Sequence, residues 1–83
     1  MIKFAYIYAM PGLQESDTHK VITEKATFYA KAVDYATPEA AINTAKELKE
    51  KEGIHMIELC GGLANADLVH KVKEAVGPNV AVG

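Results

Sequence analysis

Residues 54–82 read IHMIELCGGLANADLVHKVKEAVGPNVAV, and this stretch decides the fold. Ile54 to Cys60 is a short apolar run with a single acid, bounded by Gly61-Gly62, and it predicts a strand. Beyond the glycines, Leu68, Val69, Val72, Ala75 and Val76 recur at helical spacing, with Asn65 placed to cap the helix and Asp67 at its positive end. Gly77-Pro78 stops that helix, and Val80 to Val82 starts another strand. Strand, glycine turn, helix and strand make a βαβ unit, whose crossover implies parallel strands.

Working back, Thr37-Pro38-Glu39 is a helix start, with a threonine cap, proline in the first helical position and an acid in the first turn. The helix is expected to end at Gly53, burying Ala41, Ile42, Ala45 and Leu48. Lys46/Glu50 and Glu47/Lys51 lie at i,i+4 on its outer face, a pattern of solvated ion pairs. Ala26 to Val33 predicts a strand, and Lys31 within it suggests an edge position. Ile2 to Ala9, IKFAYIYA, predicts a central strand covered on both sides. Its alternation sets Ile2, Phe4, Tyr6 and Tyr8 against Lys3, Ala5, Ile7 and Ala9. Between these strands the chain is polar, and Ser16 or Asp17 is placed to cap a short helix reaching Thr23 in a crossover, with a hairpin-type return through an irregular loop as the alternative. The expectation is one α/β domain over residues 1–83, β-(α)-β-α-β-α-β, with a small, mostly parallel four-stranded sheet in the flavodoxin/Rossmann-like order 2-1-3-4.

Composition narrows the function classes. All nine basic residues are lysines and the formal charge is -2, so the arginine forks and basic stripe of a nucleic-acid reader are missing. No apolar run approaches a membrane span, no leader pattern opens the chain, and one cysteine cannot form an internal disulfide, so a cytoplasmic setting is expected. With 49% apolar residues but no Trp, the core must be thin, which favours self-association.

Chemistry has few places to sit. Two strands run into glycine turns, Met10-Pro11-Gly12 and Cys60-Gly61-Gly62, and in open α/β sheets ligands bind beyond such carboxyl ends. Tyr8, Pro11, Gly12, Gly61, Gly62 and Asn65 are therefore the candidate ligand-binding residues. Glu58, at the end of an apolar strand, is a candidate general base; Cys60 is a candidate nucleophile or a buried small hydrophobe; His19, in the polar segment, is a candidate acid or base or an ordinary surface histidine. No dinucleotide or P-loop pattern and no zinc spacing occurs, so no cofactor and no metal is expected.

The opening FAYIYAMPG, the later histidine, Val33-Asp34-Tyr35 before an alanine-rich helix, and above all IELCGG at residues 57–62 resemble a family of small uncharacterised prokaryotic proteins known only as a domain of unknown function. That resemblance implies a compact α/β domain, no stated activity, and relatives that extend past Gly83. The strand-Gly-Gly-helix-strand unit also looks like one module of a phosphate-binding TIM barrel, though 83 residues cannot close one. Three functions stay open: a self-associating small-molecule-binding module, an enzyme using Glu58 as base with Cys60 or His19 assisting, and an assembly protein whose contact is the aromatic stripe.

Overall fold

In the computed structural model, residues 1–12 and 18–83 are described. The elements are β1 (Ile2–Met10), β2 (Thr18–Ile22), β3 (Ala26–Asp34), α1 (Ala40–Glu47) with a π-helical continuation over Leu48–Glu52, β4 (Met56–Leu59), α2 (Ala66–Val76) and β5 (Ala81–Val82). They build one mixed sheet in the order β2-β3-β1-β4-β5. The β3, β1, β4 and β5 strands run parallel to their neighbours, and β2 is antiparallel to β3.

The four strands expected from the sequence do lie in the order 2-1-3-4, but the sheet has five strands and is mixed. The added strand is β2, where a helix reaching Thr23 was expected; its cap candidates Ser16 and Asp17 lie outside the described residues. Three of the five residues in THKVI are β-branched, which favours a strand, and Thr23 closes a tight return. Its hydroxyl accepts from Ala26 N at 3.0 Å while its own backbone N donates to Ala26 O at 2.8 Å. With β2 alongside, β3 is no edge, and Lys31 marks instead the face turned toward the helices.

A Rossmann arrangement needs helices on both faces, and here both lie on one. Ala5, Ile7, Tyr29, Val33, Ile57 and Leu59 share a cluster with Ala41, Ala45 and Leu48 of the first helix and Leu68, Val72 and Val76 of the second. Both crossovers, β3-α1-β4 and β4-α2-β5, step the same way across the sheet, so the right-handed rule puts both helices on the same side. The connection from β1 to β3 runs through β2 in the plane of the sheet and carries no helix among the described residues. Contrary to the expectation for β1, no helix of the described residues covers its Phe4-Tyr6-Tyr8 face, where the three side chains are half-buried.

The helices start and stop near where the sequence places them. Before α1, Ala40 N and Ala41 N bond to Thr37 O and Pro38 O at 3.0 Å, a tight first turn, although the Thr37 side chain makes no cap. Gly53 closes the helix at φ 67°, a left-handed position that glycine takes without strain. The expected pairs Lys46/Glu50 and Glu47/Lys51 are not among the ion pairs of the described residues. The wider π turn moves residues four apart out of line. Asn65 caps α2 as expected, its side-chain oxygen accepting from Leu68 N at 2.9 Å.

Candidate functional site

The carboxyl ends of β1 and β4 are neighbours, tied by Cys60 N donating to Ile7 O at 2.9 Å. Tyr8 therefore follows beside Cys60, while Pro11 and Gly12 come after Met10, whose carbonyl accepts from Tyr35 N at 3.1 Å on the β3 side of the sheet. Gly12 has φ 80°, so its turn does require glycine. Gly61 and Gly62 are not in the left-handed region, and a Cβ on Gly61 would meet nothing within 4 Å. A Cβ on Gly62 would touch the Tyr35 ring at 3.4 Å and the Cys60 sulfur at 3.8 Å.

The glycine pair also stands away from the α2 amides. After Cys60 the chain turns, with Leu63 N bonding to Cys60 O at 2.9 Å, and drops fully buried Leu63 into the core before the Asn65 cap. Asn65 uses its side-chain oxygen on Leu68 N, so it acts here as a cap. An anion cradle formed by the glycines and the helix start is not assembled.

Glu58 is exposed on the open face, its carboxylate lying over Gly83, where a Cβ would come within 2.8 Å of Oε2. Cys60 is half-buried and packs against the core. His19 is exposed on β2. Strand register puts His19 opposite Ala30, Ala30 opposite Tyr6, and Tyr6 opposite Glu58, one straight row across four strands. Three strand spacings, about 14 Å, separate the ends of that row. One chain alone does not bring His19 to Glu58, and the proposed acid–base set is not gathered within it. Among the described residues no group of three or more His, Cys, Asp or Glu is placed to hold a metal.

The next row explains what the sequence reading missed. Val21, Phe28, Phe4, Met56 and Ala81 stand opposite one another across all five strands. The Phe4 and Phe28 rings stack at 5.5 Å between centroids, and Tyr6 and Tyr8 stack at 6.1 Å. The aromatic stripe seen on β1 is thus the centre of an apolar band. Its other members were invisible until β2 and β4 were placed in register.

A second organised cluster lies on the helix side, at a cavity of about 220 Å³ between the β2–β3 edge and the end of the π turn. The Tyr29 hydroxyl and the Glu52 carboxylate influence one another electrostatically across this cavity, and Lys20 Nζ sits 3.5 Å from Glu52 Oε1 and 5.3 Å over the Tyr29 ring. Lys3 Nζ donates to the Glu52 carbonyl at 2.6 Å. Burial first, then the polar interaction with Glu52 and its charge, hold the Tyr29 phenol above its ordinary range. The polar interaction with the Tyr29 hydroxyl, with help from Lys20 and Lys3, holds Glu52 below the usual carboxylate range against the opposing effect of burial. Lysines at a helix C-terminus serve its carbonyls and negative dipole end, so this cluster seals the sheet edge to the helix rather than cradling an anion. Lys3, sharing a face with Ala5 and Ile7, was the signal for it: a lysine on a covered face needs a partner.

The structure and the IELCGG block at residues 57–62 meet in the same βαβ unit, and comparison of the whole chain decides the family. The chain belongs to the family of unknown function DUF6506, whose model matches residues 2–83. DUF6506 carries no activity to transfer to these residues. No curated protein and no solved structure matches the chain. No helix among the described residues is long and apolar enough to cross a membrane.

Proposed function

We propose that this DUF6506 chain is a self-associating module, two copies packing through the open faces of their sheets, with small-molecule binding confined to the seam between them. The observation that carries this reading is the uncovered apolar band of Val21, Phe28, Phe4 and Met56 beside Tyr6 and Tyr8. Phe28 is 36% exposed and Val21 56%, in a chain whose opposite face is closed by two helices. An exposed apolar patch of this extent marks an interaction surface. Strands about 4.8 Å apart with a rise of about 3.3 Å per residue present roughly 450 Å² in projection, a little over half the 800 Å² per partner of a standard interface.

The seam also gives the candidate residues a common address. Tyr8, Glu58 and His19 lie on or beside the open face, while Pro11, Gly12, Gly61 and Gly62 stand at one end of it. A reaction by Glu58 within a single chain is not favoured, because His19 is three strands away. The test is sedimentation of the wild type and Phe28→Glu, with circular dichroism verifying that the variant is folded. We expect a dimer that becomes a folded monomer on substitution; a monomeric wild type at tens of micromolar overturns the proposal.

A further inference from the structure

Resting on that reading, we propose a specific register for the pair: a second copy of this chain docks with its twofold axis parallel to the strands, between β1 and β3, so that His19 of each copy faces the partner subunit's Glu58. The row His19–Ala30–Tyr6–Glu58 is the basis. Rotation about such an axis reverses the row onto itself. The ends then match an imidazole with a carboxylate, and the middle matches the small Ala30 with the partner's Tyr6.

The apolar row is compatible with this register, since Val21 meets the partner's Met56 and Phe28 meets the partner's Phe4. One step toward the strand ends, Ala32 lies opposite Tyr8 but is already fully buried within its own chain, so that row contributes no contact.

The other axis that brings two such faces together lies across the strands, and it sets each strand on its own copy. With that axis on the His19–Glu58 row, Glu58 faces the partner's Glu58 and Tyr6 the partner's Tyr6, opposing like charges and large side chains. Centring the first axis on β1 brings Tyr6 onto the partner's Tyr6 as well. The axis between β1 and β3 pairs acid with imidazole at the ends of the His19–Glu58 row and Ala30 with Tyr6 at its centre. The dimer so formed holds two equivalent imidazole–carboxylate pairs, each beside a tyrosine, and each incomplete without the second chain. The ligand class that fits such a pair is a small neutral molecule with one donor and one acceptor group, since the carboxylate accepts a hydrogen bond and an imidazole N–H donates one.

The experiment uses two variants in a Cys60→Ala background, one His19→Cys and the other Glu58→Cys, each verified as folded by circular dichroism. Facing positions lie about 10 Å apart at Cα across packed sheets, whereas His19 and its own copy are separated by about 17 Å in the proposed register. A bis-maleimide reaching no more than about 12 Å should therefore join chains in the mixture of variants and not in either variant alone. Cross-linking in either single-variant sample overturns the register. A dimer by sedimentation with no cross-link in the mixture also overturns it while leaving self-association standing. A monomer overturns both, including one whose open face carries a co-purified apolar molecule detected by intact mass spectrometry.

Discussion

Ile57 and Met56 are adjacent on β4, yet Ile57 is 2% exposed and Met56 is 40% exposed. The same contrast runs through the whole sheet. On one side Ala5, Ile7 and Leu59 are closed over by two helices, and on the other Phe4 stacks with Phe28 and Tyr6 with Tyr8, with no helix of the described residues above them. Hydrophobicity is spent on both faces, but only one has an internal partner. A strand apolar on both sides thus specifies two covers, and the described residues supply one.

The contrast breaks most sharply at those neighbours. Ile57→Ala removes fully packed atoms and should cost about 2–5 kcal/mol in chemical denaturation. A loss below about 1 kcal/mol would mean the covered face is loosely packed. Tyr29→Phe, at the sealed edge of that face, should cost about 1 kcal/mol or less near neutral pH, because the polar interaction of the hydroxyl with Glu52 is removed. Its pH signature has two limbs. Glu52 is more acidic folded than unfolded, so its contribution is present above the unfolded carboxylate range and is lost as pH falls through it. Tyr29 is less acidic folded than unfolded, so its contribution is present below its unfolded value and is lost as pH rises past it. Stability curves of wild type and Tyr29→Phe should therefore converge at both extremes; parallel curves would dismiss the Tyr29–Glu52 interaction. Met56→Gln should change the stability of the isolated chain least, within about 0.5 kcal/mol at dilutions where it is monomeric. It should nonetheless raise the dissociation constant of the pair, and an unchanged constant would place the contact elsewhere.

Much of this frame was legible in residues. Ile54–Val82 specified its strand, helix and Asn65 cap because hydrophobic period and capping chemistry are local signals. Thr37-Pro38 marked the start of the other helix, though the actual closure is by backbone bonds rather than by the threonine side chain. β2 escaped because five residues with two apolar members carry no period, and their β-branching matters only once a neighbour is present. The open face escaped for a different reason: alternation tells which residues share a face, never whether anything covers it. Among candidate site residues, Tyr8 and Cys60 follow the paired strand positions Ile7 and Leu59. The sequence could not measure the distance between His19 and Glu58, which depends on the register of four strands.

The order of those strands also sets a timetable. β1 is the earliest in sequence and the most central in space, and its neighbours β3 and β4 begin at Ala26 and Met56. The β2–β3 hairpin can close locally within microseconds, but the pairing of Phe4 with Met56 must bridge more than fifty residues, and such distant parallel contacts form slowly. Until then IKFAYIYAM is an aromatic, weakly charged segment without a partner on either edge. The strand that organises the finished sheet is therefore the one most exposed to intermolecular β-pairing while the chain is still folding.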